Sequence, residues 1–246
     1  MAQSRYTYRK SSFFGYFPMG VKWLLIVNTA VFVLTTLFGR QFGDDIRLLA
    51  LTPVAVVQHF AIWQLLTYLF LHGGITHLLF NMLALWMFGT PLESDWGTRQ
   101  FLKYYFICGI GAGVCDVTLN AMMGNWLTST IGASGAIYGL LVAYGVCYPE
   151  QTVLMGFLFP IKAKYMVMIY AAIELYLSTG VNTGVSNIAH LGGMVVGLIY
   201  LKSRLPKLKL RLPDWRGAYR QWKLQRAKKK FQVYMKKHRD QGPWVN

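Results

Sequence analysis

The chain has 246 residues, of which 54% are hydrophobic and 15% aromatic, with nine acidic side chains against 25 lysines and arginines. So apolar and acid-poor a composition excludes an ordinary soluble domain and makes an all-α polytopic membrane protein the expected class. The net charge of +16 does not call for nucleic acid as a partner, because the basic residues are spread in the uneven pattern that membrane topology produces.

Residues 1–20 are polar, aromatic and basic, and lack the short apolar core and A-x-A-like site of a secretory signal. The first apolar run is therefore expected to stay as an anchor. Apolar runs of helical length follow at 23–38, 75–92, 101–122, 133–146, 165–177 and 187–201, each bounded by charge, Pro or Gly. Several fall short of the ~20 residues of a full span, so the expectation is about six helices with soft ends. This divides the chain into an N-terminal segment (1–20), a membrane domain (21–203) and a basic tail (204–246).

Charge orients the bundle. Arg5, Arg9, Lys10 and Lys22 precede the first helix and fifteen basic residues follow the last, from Lys202 to Arg239, so both termini are expected in the cytoplasm with an even number of spans. The loops holding Arg99 and Lys103, then Lys162 and Lys164, fall on the same side. The uncharged stretches 123–132 and 178–187 fall outside, as does the long first loop (39–74), where Arg40 and Arg47 are balanced by Asp44 and Asp45.

Cys108, Cys115 and Cys147 lie in or at the edge of predicted helices, with neither zinc-site spacing nor a disulfide framework, and read as packing residues. "GIGAGV" (109–114) has no preceding strand and no lysine for phosphate, so small residues at a helix interface are the better reading. No metal or cofactor is expected.

Polar residues inside a membrane are costly unless they have a partner or a task. Helices two, four and six all run from outside to inside, so their first turns share one depth. They open "GITHLLFNML", "GASGAIYG" and "NIAHLGGMVVG". That brings His77, Asn81, Ser134, Tyr138 and His190 to the outer ends of three parallel helices. His77 and Asn81 are i and i+4, as are Ser134 and Tyr138, so each pair shares a helix face. The run from Ser134 to Tyr148 and Pro149 is about 15 residues, roughly 22 Å of helix against a hydrocarbon core of about 30 Å. Helix four must then start below the outer surface, with "MMGNWLTSTIG" re-entering to meet it. Gly132 permits a tight turn there, and Gly135 leaves room for a neighbouring helix.

These residue types suit acyl transfer. A serine hydroxyl needs a base, and imidazole is the side chain best matched to that near neutral pH. The tetrahedral intermediate needs donors, available from the Asn81 amide, a His77 N–H and the backbone N–H of Ser134. By depth, His77 and His190 are both candidate bases. His59 and His72 fall in the first loop and His238 in the tail.

The chain resembles the rhomboid family of intramembrane serine proteases over roughly 23–201, through "HGGITHLLFNM" in helix two, G-x-S-G in "GASGAIYG" and A-H-x-x-G-x-x-x-G in "AHLGGMVVG". The resemblance implies a six-helix bundle with a long first loop and a re-entrant segment before a short fourth helix. It implies Ser134 as nucleophile and His190 as general base, a dyad with no third carboxylate. His77 and Asn81 match the oxyanion donors and Tyr138 the tyrosine that packs on the base. Gly193 and Gly197 match positions that let helix six approach helix four, and Glu93 matches a structural acid. Two departures stand in the first loop: Gln64 after Trp63 where an arginine is usual, and Tyr68 at a familiar histidine position. The substrates implied are transmembrane proteins cut near the outer face of the bilayer, and the basic six-helix form fits a bacterial inner (cytoplasmic) membrane.

A lone G-x-S-G in a membrane helix is more often packing than catalysis; with His190, His77 and Asn81 at matching depth the balance reverses. Asp116 is expected towards the outer end of helix three, as a cap or a wet neighbour of the cavity. Glu174 is expected near the middle of helix five, against another polar group or a water-filled cleft rather than in the chemistry, and Asn28 as an interhelical hydrogen bonder. No H-E-x-x-H or intramembrane Asp pair is present. In the tail, Asp214 after Pro213 can cap a basic helix with Trp215, Tyr219 and Trp222 on one face. That helix either lies on an anionic leaflet or is a solvated tail. Two functions remain: an intramembrane protease, or a catalytically silent scaffold of the same superfamily that binds membrane helices without cutting them.

Overall fold

Helix follows wherever a long apolar run is free of turn residues, because inside a bilayer each backbone N–H and C=O must find a partner within its own segment. The computed structural model describes residues 18–38, 48–155, 158–178, 186–204 and 215–238. Each of the six expected runs is a helix. In chain order they are α1 (Met19–Phe38), α4 (Ile75–Trp96), α5 (Thr98–Met122), α6 (Ser134–Cys147), α7 (Ala163–Leu177) and α8 (Asn187–Arg204), with two short helices, α2 (Pro53–Gln58) and α3 (Gln64–Thr67), in the first loop. Among the described residues α1, α4 and α5 are long and apolar enough to cross a membrane, and α6 is a shorter apolar helix of 14 residues.

The described chain is not purely α. Between α6 and α7, β1 (Thr152–Met155) pairs antiparallel with β2 (Phe159–Lys162), Thr152 opposite Lys162 and Met155 opposite Phe159. The hairpin is an addition to the expected all-α architecture, and pairing its two short strands satisfies their backbone groups locally. Exposed Glu150 accepts from Lys162 Nζ at 2.6 Å and from Lys164 Nζ, and these two bonds hold its carboxyl down at about 2.

The described part of the first loop is tied by side-chain hydrogen bonds. Gln64 is 2% exposed. Its Oε1 accepts the Thr52 backbone N–H at 3.0 Å and its Nε2 donates to the Leu48 carbonyl at 3.1 Å. Trp63 Nε1 donates to the same carbonyl at 2.9 Å. A neutral amide, able to donate and accept, thus ties the loop where an arginine could only donate.

Glu93, buried in α4, accepts the free N–H groups of Gly20 and Val21 at the start of α1, both at 2.7 Å, and the Thr98 hydroxyl at 2.5 Å. A carboxylate there satisfies orphan donors and matches the helix dipole, so one side chain joins α1, α4 and α5. Asn28 does not reach another helix as expected. Its Nδ2 donates to the Leu24 carbonyl one turn back in α1.

α5, α6 and α8 pack through small residues. A Cβ on Gly139 would meet Cys108 at 2.6 Å, one on Gly111 would meet Val196 at 2.7 Å, and one on Gly192 would meet Cys115 at 2.7 Å. All three cysteines are free, with Cys108 buried. This is the close backbone approach by which membrane helices gain dispersion energy, lipid being as apolar as leucine.

Residues 206–246 form a second unit containing α9 (Trp215–His238). Leu224, Phe231, Tyr234 and Met235 are exposed along it, among exposed Lys223, Arg226, Lys228, Lys229 and Lys230. The N-terminal residues 1–17, the first-loop charges Arg40, Asp44, Asp45 and Arg47, the capping pair Pro213 and Asp214, and the side chains of Trp215, Tyr219 and Trp222 lie outside the described residues.

Candidate active site

The site begins with the strand-like lead into α6. Thr130 and Leu51 exchange backbone hydrogen bonds at 2.8 and 3.0 Å, and the Gly132 N–H donates to the Tyr68 carbonyl at 2.9 Å. Gly132 then turns the chain with φ +121, where an L side chain is strained, and a Cβ there would meet His77 Nε2 at 2.8 Å. Ser134 follows as the first residue of α6. The Tyr68 hydroxyl donates to the Gly109 carbonyl at 2.7 Å, so this tyrosine serves as a buried strut beneath the turn.

Asp116 fixes the same region from α5. It is fully buried and accepts from Thr130 Oγ1 at 2.9 Å, from Asn120 Nδ2 at 3.1 Å and from the Ser186 hydroxyl. Ser186 in turn accepts the Ala189 N–H at 3.1 Å, capping the start of α8. One carboxylate therefore links α5, the lead into Ser134 and the start of the helix carrying His190.

Gly193 faces the carbonyl of Gly135, with no space for a Cβ, while a Cβ on Gly135 would meet Ala112 at 2.7 Å. A Cβ on Gly197 would lie 2.5 Å from the Tyr104 hydroxyl and 3.3 Å from the Gly139 Cα. With α6 and α8 in backbone contact, His190 Nε2 comes within 2.7 Å of Ser134 Oγ. The imidazole stacks on Tyr138, ring centroids 4.2 Å apart and planes 14° from parallel.

On the opposite side, Asn81 is buried and its Nδ2 has no hydrogen-bond acceptor among the described residues. It would lie 3.6 Å from a Cβ on Gly132, on the same side as the His77 ring. His77 Nδ1 is 3.4 Å from the Gly73 N–H, and its ring meets His72 edge-on at 5.1 Å. Ser134, His190, Tyr138, His77 and Asn81, distant in sequence, thus lie around the turn at Gly132.

Glu174 is the residue that sequence reasoning misplaced. It lies in the last turn of α7, where its carbonyl accepts the Ser178 N–H, and not near the middle of the helix. Because α7 begins at Ala163, its C-terminal end reaches the level of the α6 and α8 starts. The carboxylate accepts from the Tyr138 hydroxyl through Oε1 and brings Oε2 within 3.0 Å of His190 Nδ1, at ion-pair separation but off the line of a hydrogen bond. An acid inside an apolar helix was the available signal; which helix it would face was not readable from spacing.

A bundle of apolar helices with a part-buried serine and histidine at hydrogen-bond distance defines a helical, multi-pass membrane protein. The Rhomboid domain model matches residues 59–206, and the chain belongs to the rhomboid family. It is 30% identical over 216 residues to "Rhomboid protease AarA" of Providencia stuartii, covering 78% of this chain and 74% of that protein. It is 36% identical over 138 residues to "Rhomboid protease GluP" of Bacillus subtilis, 55% of this chain and 24% of that protein. A mitochondrial relative, "RHOMBOID-like protein 12" of Arabidopsis thaliana, is 28% identical over 189 residues, 72% of this chain and 55% of its own length. The chain spans about half the length of several of the curated relatives it matches.

Proposed function

We propose that this protein is an intramembrane serine endopeptidase that cuts transmembrane or membrane-proximal segments of other membrane proteins near the outer face of the bilayer. The observation that carries the reading is the 2.7 Å separation of Ser134 Oγ and His190 Nε2 in a part-buried site. Rhomboid proteases among the relatives support the same reaction class.

In this mechanism Ser134 Oγ attacks the scissile carbonyl carbon while its proton passes to His190 Nε2. The negative charge on the tetrahedral oxygen is met by the Asn81 amide, a His77 N–H and the Ser134 backbone N–H, which at a helix start has no intrahelical acceptor. Nε2 then protonates the leaving amine, and water, deprotonated by the same nitrogen, releases the acyl group. Asn81 suits this role because its buried donor has no acceptor among the described residues.

The 14 residues of α6 amount to about 21 Å of helix, so a six-span topology in a bilayer core of about 30 Å sets Ser134 below the outer surface, at the end of a re-entrant segment. The loop charges favour cytoplasmic termini in an inner membrane. The exposed apolar and basic residues of α9 favour contact with anionic lipid on that side, where each Lys or Arg near the surface contributes about 1 kcal/mol.

The test is cleavage of a model transmembrane substrate by protein reconstituted in lipid. The wild type cleaves and labels with a fluorophosphonate at Ser134, whereas Ser134→Ala and His190→Ala do neither. Full cleavage by Ser134→Ala would overturn the assignment, and folded wild type inert to both substrate and probe would favour a silent helix-binding scaffold.

A further inference from the structure

The rhomboid resemblance implies a serine–histidine dyad without a carboxylate, yet Glu174 presents Oε2 at 3.0 Å from the nitrogen of His190 that does not face Ser134. We infer that Glu174 is a positioning residue for the general base: its carboxylate, at ion-pair distance from Nδ1, favours the proton on that nitrogen, leaves Nε2 free to take the Ser134 proton, and offsets the positive charge that then forms on the ring. This rests on Ser134 and His190 being the reacting pair.

Three observations carry it. The carboxylate is buried, at 5% exposure, where a charge has no reason to persist without partners. Its other oxygen is occupied by the Tyr138 hydroxyl, and Tyr138 is the ring on which His190 stacks, so α6 and α7 together fix the carboxylate and the imidazole plane. Finally, the carboxylate and Ser134 lie on opposite nitrogens of one imidazole, the order serine, histidine, acid that orients the base in soluble serine hydrolases.

The bland alternative is that Glu174 only pins α7 to Tyr138. The two differ in whether loss of the charge alone slows turnover. A carboxylate beside the ring stabilises the positive charge that forms on it in the transition state, so removing that charge should lower kcat at unchanged KM and thermal midpoint, whereas losing a structural pin should lower the midpoint. The other titratable groups around His190 are Tyr138 from α6, with Tyr170 of α7 against it, and, at longer range, Asp116 from α5 and His77 from α4. All are unchanged in Glu174 variants.

The experiment measures kcat and KM for a transmembrane substrate in proteoliposomes, together with the thermal midpoint, for the wild type, Glu174→Gln, Glu174→Asp and Ser134→Ala. In Glu174→Gln, kcat should fall about 10- to 100-fold with KM and the thermal midpoint little changed. Glu174→Asp should recover part of the loss. A wild-type kcat in Glu174→Gln, or a loss that follows a lowered thermal midpoint and that Glu174→Asp does not relieve, would overturn the inference. If Glu174→Gln does not fold, Glu174→Asp decides: an intermediate kcat at the wild-type KM and midpoint supports the role, and wild-type behaviour removes it. Cleavage by Ser134→Ala would instead sink the protease reading itself, so the two failures are distinguishable.

Discussion

α6 and α7 are neighbours of similar length held in the bundle by different means. α6 is buried along most of its 14 residues, from Gly135 to Gly145, whereas α7 buries only Ala163, Met166 and Glu174 of its 15. The first is fixed by close packing on two sides, the second by Ala163 and Met166 at its start and by the Glu174 contacts at its C-terminal end. Ser134 on α6 is therefore held to the tolerance of packed backbones, whereas α7 reaches the site through the side chains of Glu174 and Tyr170. Close packing and polar contact are thus assigned to different helices.

The hardest test of this contrast is Gly193→Ala. Its Cβ has no space against the Gly135 carbonyl, so α6 and α8 must separate; cleavage should be lost and the thermal midpoint should fall with the ~1–3 kcal/mol typical of overpacking. Retained cleavage at the wild-type midpoint would show that the weld between these helices is not needed.

A paired truncation sharpens the comparison. Leu140→Ala on α6 removes a fully buried side chain and leaves a cavity, costing about 1–3 kcal/mol, whereas Leu175→Ala on α7 trims a side chain 60% exposed and should cost about 0.5 kcal/mol or less. The lower figure than in a soluble core reflects lipid, which solvates leucine as well as protein does. Equal losses in denaturation of the reconstituted protein would erase the distinction.

The smallest effect lies in the hairpin between the two helices. Lys162 and Lys164 lower the Glu150 carboxyl from 4.5 to about 2, so their stabilisation is fully present above about 4.5 and is lost as pH falls through about 2. Wild type and Glu150→Gln should therefore show their widest difference in thermal midpoint at neutral pH, a small one screened by salt, and converge on acidification. A difference that grew on acidification would contradict the pairing.

Much of this was legible in the amino acids. The six apolar runs became helices with ends shifted by a few residues, as at α1, which starts at Met19 and not at 23 because Glu93 caps it from α4. The polar residues at three helix starts, Ser134, His77 with Asn81, and His190, were visible because lipid makes idle polar groups rare. α2 was missed, although Thr52 before Pro53 has the form of a helix start, because a six-residue helix leaves too little periodicity. The hairpin was missed for the same reason of brevity.

Sequence alone determined the class of the molecule and marked the candidate site residues, since composition, hydropathy and charge act locally along the chain. Only the tertiary structure decided who faces whom: that Gln64 anchors the first loop, that Asp116 joins the leads of two helices, and that Glu174 meets His190. Each of those contacts joins residues a dozen or more positions apart, beyond the reach of the local patterns that mark a helix.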